Sequence, residues 1–173
     1  MMKSRFALIV ALVFGAAALR LLPHPPNFEP IGAIALFAGA HLASKRWAFL
    51  IPLTALFFSD LLIGFHDQMP VVYGAFALIV CLGFMLQERR SAGPIGAAAV
   101  AGSTLFFILT NFGVWAFGSL YPKTLAGLGA CYVAAIPFYG YTVAGTLFYT
   151  AVLFGGLALA GRKISRLAPS VSS

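Results

Sequence analysis

Long apolar runs dominate this chain, and nearly all of its few charges fall in the short breaks between them. A stretch approaching about 20 apolar residues can cross the hydrocarbon core of a bilayer as a helix. Such runs read at 6–22, 28–44, 47–65, 70–87, 95–118 and 141–161, giving six transmembrane helices in one all-α domain covering 1–173. The second run, "PIGAIALFAGAHLAS", is the weakest. It reaches a plausible length only if Asn27, Phe28 and Glu29 form its outer end, and an even number of spans requires it. Composition agrees: 61% of residues are hydrophobic and 9% charged, with a mean hydropathy of +0.97, against about 25% charged in a soluble domain. These values exclude a disordered chain and a disulfide scaffold. They also exclude a nucleic-acid partner, because a net charge of +7 is spread too thinly to build a phosphate-binding face.

The positive-inside rule orients the bundle. With six spans, Lys3, Arg5, Lys45, Arg46, Arg89, Arg90, Arg162, Lys163 and Arg166 fall on one side, and only Arg20 and Lys123 on the other. Both termini are therefore expected in the cytoplasm. Glu29, Asp60 and Asp67 then lie outside and Glu88 inside. The start, "MMKSRFALIVALVFGAAALR", has the layout of a signal peptide, and a cut after Ala18 would leave five spans in the same orientation. Retention is expected, because a membrane protein of this kind uses its first helix as the targeting signal. The segment "TLAGLGACYVAAIPFY" (124–139) is expected as an outer re-entrant or lid segment, since a seventh span would place Arg162, Lys163 and Arg166 outside. There is no P-loop motif, so no nucleotide is expected. The lack of a clear internal repeat argues against an inverted-repeat transporter, and low-complexity sequence is confined to the tail "APSVSS".

Candidate ligand residues concentrate in three outer connections, "LPHPPNFEP", "SDLLIGFHDQMP" and "SLYPKTLAGLGACYVAAIPFYGY". Prolines fix the backbone of the first and present Asn27 and Glu29 at low entropic cost. Asp67, at the lip of the fourth helix, is a natural acceptor for ligand amides. Each also reads as a helix-end residue facing water. Within the apolar runs, Thr110, Asn111 and Trp115 stand out. Asn111 and Trp115 are four apart and share a helix face, although an amide there also serves as interhelical glue. Cys81 and Cys131 read first as small hydrophobes. A disulfide between them depends on geometry that spacing does not supply, and four clustered zinc ligands are missing. Cys81 has suggestive company: Tyr73, Phe76 and Met85 fall on overlapping faces, and Gly74, Ala75, Ala77 and Gly83 keep the helix thin. A thiolate there would select a soft or borderline metal, such as one carried in an organic macrocycle.

Four stretches, "NFEPIGAIALFAGA", "FFSDLLIGFHDQMPVVYGAFALIVCLG", "LTNFGVWAFGSLYPKTLAGLGACYVAAIPFY" and "GTLFYTAVLFG", carry a resemblance over residues 27–156. Together they resemble the BtuM family of small bacterial cobalamin-uptake proteins, related to the S-components of energy-coupling factor (ECF) transporters. The resemblance implies an S-component-like bundle in the bacterial inner membrane that binds cobalamin, and cobinamide, from the periplasm. An ECF coupling module is an optional partner. It implies cobalamin held base-off, with the Cys81 sulfur as axial ligand of the corrin cobalt. A thiolate in that place would weaken the cobalt–cyanide bond, so Cys81 is also the candidate for cyanocobalamin decyanation. Asn27, Phe28, Asp67, Tyr73, Asn111, Trp115, Tyr121, Lys123 and Tyr132 are the residues expected around the ligand. Cys81 lies about 16 Å along an ideal helix from Pro70, so such a pocket must be deep. Three alternatives remain open. One is an S-component for another vitamin, since fold does not fix the ligand. Another is a haem-handling protein using His24 or His66. The third is an assembly protein using the small face of Ala7, Ala11 and Gly15.

Overall fold

The computed structural model describes residues 2–89 and 91–167. Met1, Arg90 and the tail 168–173 lie outside the described residues, and with them the topological role expected of Arg90 and the low-complexity tail. The described residues form six helices: α1 (Met2–Leu19), α2 (Ile31–His41), α3 (Lys45–Ile63), α4 (Met69–Phe84), α5 (Ala92–Phe117) and α6 (Leu125–Leu167). Three of them are long and apolar enough to cross a membrane, at Lys45–Ile63, Ala92–Phe117 and Leu125–Gly161, while α1, α2 and α4 are shorter apolar helices. The outside of the bundle is apolar as well. Leu62 is 73% exposed and Leu125 86%, a surface suited to lipid rather than water.

Two expectations about the elements need correction. Asn27, Phe28 and Glu29 do not extend the second helix outward. Pro30 caps α2, and a residue that precedes a proline is pushed away from helical torsions, so Glu29 cannot be helical continuation. Instead, Phe28 N–H donates to the Pro25 carbonyl at 3.0 Å, closing a turn with Pro26 second and Asn27 third. Asn27 takes a positive φ of 62°, which asparagine tolerates better than most residues. The second correction concerns 124–139, which forms no separate re-entrant or lid segment. It is the first part of α6, which continues through Pro137 for 43 residues. A proline inside a helix removes one hydrogen bond and kinks the rod without necessarily ending it.

The centre of the bundle is α2. Its 11 residues span about 16 Å at about 1.5 Å each, roughly half of a hydrocarbon core of about 30 Å. A helix that short survives because it does not meet lipid: nine of its residues are buried, and α1, α3, α4, α5 and α6 all pack on it. Association between helices in lipid rests on close packing rather than on the hydrophobic effect, and α2 and α4 achieve it with glycine on glycine. A Cβ built on Gly39 would stand 2.2 Å from the Val80 carbonyl oxygen, and one on Gly83 2.5 Å from that of Leu36. The two backbones therefore touch at this crossing.

Candidate functional site

Because α2 begins late and deep, space is left at its N-terminal end between the longer helices and the connection from α1. That space is a cavity of about 200 Å³. Val72, Phe76 and Ile79 of α4 and Phe106 of α5 give it an apolar wall, while Ser103 of α5 and Thr142 and Thr146 of α6 supply hydroxyls. Gly32, at the first turn of α2, and Gly102 also line it, and a Cβ on them would stand 3.1 Å from Thr146 Oγ1 and 3.4 Å from Ile79 Cγ2, so both let neighbouring helices approach closely. At the mouth are Arg20, Asn27, Glu29 and His66. The Gly39–Gly83 crossing lies about two turns beyond Gly32 and about one beyond Ile79, at 3.6 residues per turn. It closes the space between α2 and α4 on that side.

One ion cluster organises the mouth. Arg20, immediately after α1, donates Nε–H to Glu29 Oε2 at 3.0 Å and Nη1–H to Ser59 Oγ at 2.8 Å, and Nη1 also pairs with Asp60 Oδ1. Tyr73 O–H donates to the other oxygen of Asp60 at 2.9 Å. Asp60 is 1% exposed, and a carboxylate buried that far must be paired to remain charged. Burial alone would lower the Arg20 pKa; Glu29 and Asp60 outweigh it and hold the guanidinium above its ordinary value. The cluster ties α1, α3, α4 and the 20–30 connection to one cation. The same connection lies tightly on α6: a Cβ on Gly145 would come within 3.0 Å of the Phe28 Cα and the Glu29 N, and Phe28 packs on Phe148 and Tyr149 with ring centroids 5.9 and 5.8 Å apart.

The residues expected to hold a ligand scatter. Asn27 lines the cavity; Phe28 packs on Phe148 and Tyr149 of α6, and Tyr73 holds Asp60. Asp67 is exposed beside the mouth. The others lie along the α5–α6 hairpin, off the cavity wall, and most hold that hairpin together. Asn111 is the exception, its Nδ2–H donating to the Phe107 carbonyl of its own helix at 2.8 Å, whereas Tyr132 O–H reaches across to the Ile108 carbonyl at 2.7 Å. Trp115 Nε1–H donates to the Pro122 carbonyl at 2.9 Å. Lys123 donates to the carbonyls of Trp115 and Gly118 while lying over the Trp115 ring, 5.8 Å from its centroid. Tyr121 is half-buried in the turn between the two helices.

Cys81 is exposed. It belongs to a stripe with Gly74, Leu78 and Met85, all exposed at helical spacing. At about 100° per residue it lies about 180° around α4 from Val72 and about 160° from Ile79, on the side away from the cavity. Cys131 is buried, its S–H 3.4 Å from the Asn111 carbonyl oxygen. Of the two histidines raised as iron ligands, His24 is engaged with the carbonyls of Arg20 and Pro25 at 3.2 and 3.0 Å, and His66 is exposed at the mouth. In the sequence, Arg20 stands out only as an exception in the charge count, and Ser103, Thr142 and Thr146 do not stand out at all. The available signal is the coincidence of Arg20, Glu29 and Asp60 near helix ends.

Together these features define the class: an all-helical protein with three helices long and apolar enough to cross a membrane, built around a cavity with a charged mouth. The chain belongs to the family described as "Family of unknown function (DUF6580)", whose model matches residues 1–169. No curated protein and no solved structure matches it.

Proposed function

We propose that this protein is a membrane uptake component that binds a small solute from the outer face of the bacterial inner membrane. Both termini are cytoplasmic in this reading, and a coupling module is an optional partner, as for an S-component. The observation that carries it is the cavity at the N-terminal end of α2, with an apolar wall, hydroxyls and a charged mouth. Apolar walls with a few converging polar groups are what ligand sites are made of. The glycine crossing beyond its floor favours binding and release over open conduction. At about 200 Å³ the cavity is smaller than the roughly 300–1,000 Å³ of drug-sized ligand sites, so the ligand is a compact metabolite.

Native mass spectrometry of the protein released from its own membranes tests this reading. The wild type is expected to carry a small-molecule adduct that Ser103→Phe, which fills the cavity, does not. The same adduct on both proteins, or none on either, overturns it.

Cobalamin is the second reading, resting on the accessibility of the Cys81 thiol. A corrin bonded there would lie along the outer stripe of α4 instead of in the cavity, which it far exceeds in size. Titration of cyanocobalamin and cobinamide into wild type and Cys81→Ala separates the two. Cysteine ligation requires a spectral shift that disappears in the variant, and identical unshifted spectra remove this reading.

A further inference from the structure

Charge and hydrogen-bonding capacity around the cavity do not balance, and the imbalance has a sign. Arg20 contributes one positive charge, and two carboxylates, Glu29 and Asp60, bond to it. The first turn of α2 adds a partial positive charge of at most about one half, so the mouth remains negative. The carboxylates are not equally reachable. The Asp60 side chain is 2% exposed and held by Arg20 and Tyr73, whereas that of Glu29 is 31% exposed and borders the cavity. Deeper in, two of the three lining hydroxyls, Ser103 and Thr142 but not Thr146, have the same bias. Ser103 spends its single O–H on the Ala99 carbonyl at 3.0 Å and Thr142 on that of Phe138 at 3.0 Å, which leaves only lone pairs to offer a ligand. Arg20 is the charged donor at the mouth; its Nε and Nη1 serve Glu29, Ser59 and Asp60, which leaves Nη2 and the neutral Asn27 amide as the remaining donors there, so the charge balance and not the donor count sets the sign.

We propose that the cavity selects a compact organic cation bearing N–H donors, such as a protonated amine with an apolar or aromatic body. Its nitrogen meets Glu29 and the hydroxyl lone pairs, and its body lies against Val72, Phe76, Ile79 and Phe106. This rests on the reading of the cavity as a solute site and adds the chemistry of the solute. Net charge decides it: a cation brings the mouth toward neutrality, whereas an anion would add to an uncompensated carboxylate in surroundings of low dielectric, where such terms are largest.

Three isosteric probes test the proposal on the full chain in lipid nanodiscs: benzylamine, cationic at neutral pH, neutral benzyl alcohol, and anionic benzoate. Binding is measured by calorimetry, with Ser103→Phe nanodiscs as the blank for partition into lipid. Benzylamine is expected to bind at least about tenfold more tightly than the other two, the scale of one charge-assisted hydrogen bond. Glu29→Gln should remove that preference, and Glu29→Asp, which keeps the charge and guards against a loss due to misfolding, should retain it. A preference for benzoate would mean that Arg20 receives the ligand and would overturn the charge assignment alone. So would a benzylamine preference that survives Glu29→Gln. If none of the three binds above the blank, the cation proposal fails and the cavity's role as a solute site is undermined with it.

Discussion

Arg20 is the residue on which the mouth of the cavity depends. It is a single guanidinium shared by Glu29, Ser59 and Asp60, and Asp60 would be a buried, uncompensated charge without it. Removing one partner of a buried ion pair typically costs about 3–5 kcal/mol, so Arg20→Met is expected to destabilise the protein by that order in a mixed-micelle denaturation. The double variant Arg20→Met/Asp60→Leu is expected to be less destabilised than the single, because it removes the stranded carboxylate too. Additive losses would contradict the account. The raised Arg20 pKa gives the stabilisation a definite pH range. It is fully present below the ordinary guanidinium value and is lost only as pH rises through the still higher folded value, so this cation adds no pH dependence near neutrality. Sequence made the charges visible but not their convergence. Arg20 and Asp60 are forty positions apart, and only the packing of α1 on α3 brings them together.

At the scale of elements, the helices were legible and their faces were not. Apolar length marks a helix reliably, but in a membrane the lipid-facing and cavity-facing sides are both apolar, so periodicity does not distinguish them. Cys81 shows the consequence: it shares a stripe with Leu78 and Met85, and nothing in their polarity told that this stripe turns outward rather than toward Val72 and Ile79. The segment 124–139 misled in another way. The charge count set it apart from the last span, whereas the helix continues through Pro137 and is held to α5 by contacts that include the 2.8 Å hydrogen bond between the Thr104 and Tyr139 hydroxyls. The α2–α4 crossing yields a paired test. Gly83→Ala would drive a Cβ onto the Leu36 carbonyl oxygen, whereas Gly74 has nothing within 4 Å of its Cβ position. Overpacking of this kind costs about 1–3 kcal/mol. Alanine at the open site instead gains helix propensity of about 0.8–1.0 kcal/mol. Gly83→Ala is therefore expected to destabilise and Gly74→Ala to be neutral or stabilising in the same denaturation assay. Equal effects would mean that the crossing does not control the packing.

For the whole molecule, the claim is that a short buried helix leaves a cavity among longer ones and that this cavity opens outward. The sequence held the ingredients, since the second apolar run was already the weakest. Its weakness reads differently once α2 is seen to be surrounded by five helices, because a span that touches no lipid has no need to match the bilayer. The measurement that bears most directly on the claim is thiol accessibility. With Cys81 and Cys131 replaced by alanine, a single Thr142→Cys on the cavity wall is exposed to a membrane-impermeant, cationic methanethiosulfonate. The reagent is added either to the periplasmic side of spheroplasts or to inverted membrane vesicles. The account expects rapid modification from the periplasmic side, slowed when Ser103→Phe is added to fill the cavity, and little from the cytoplasmic side. Modification only from the cytoplasmic side, or a rate from outside that Ser103→Phe leaves unchanged, would contradict it.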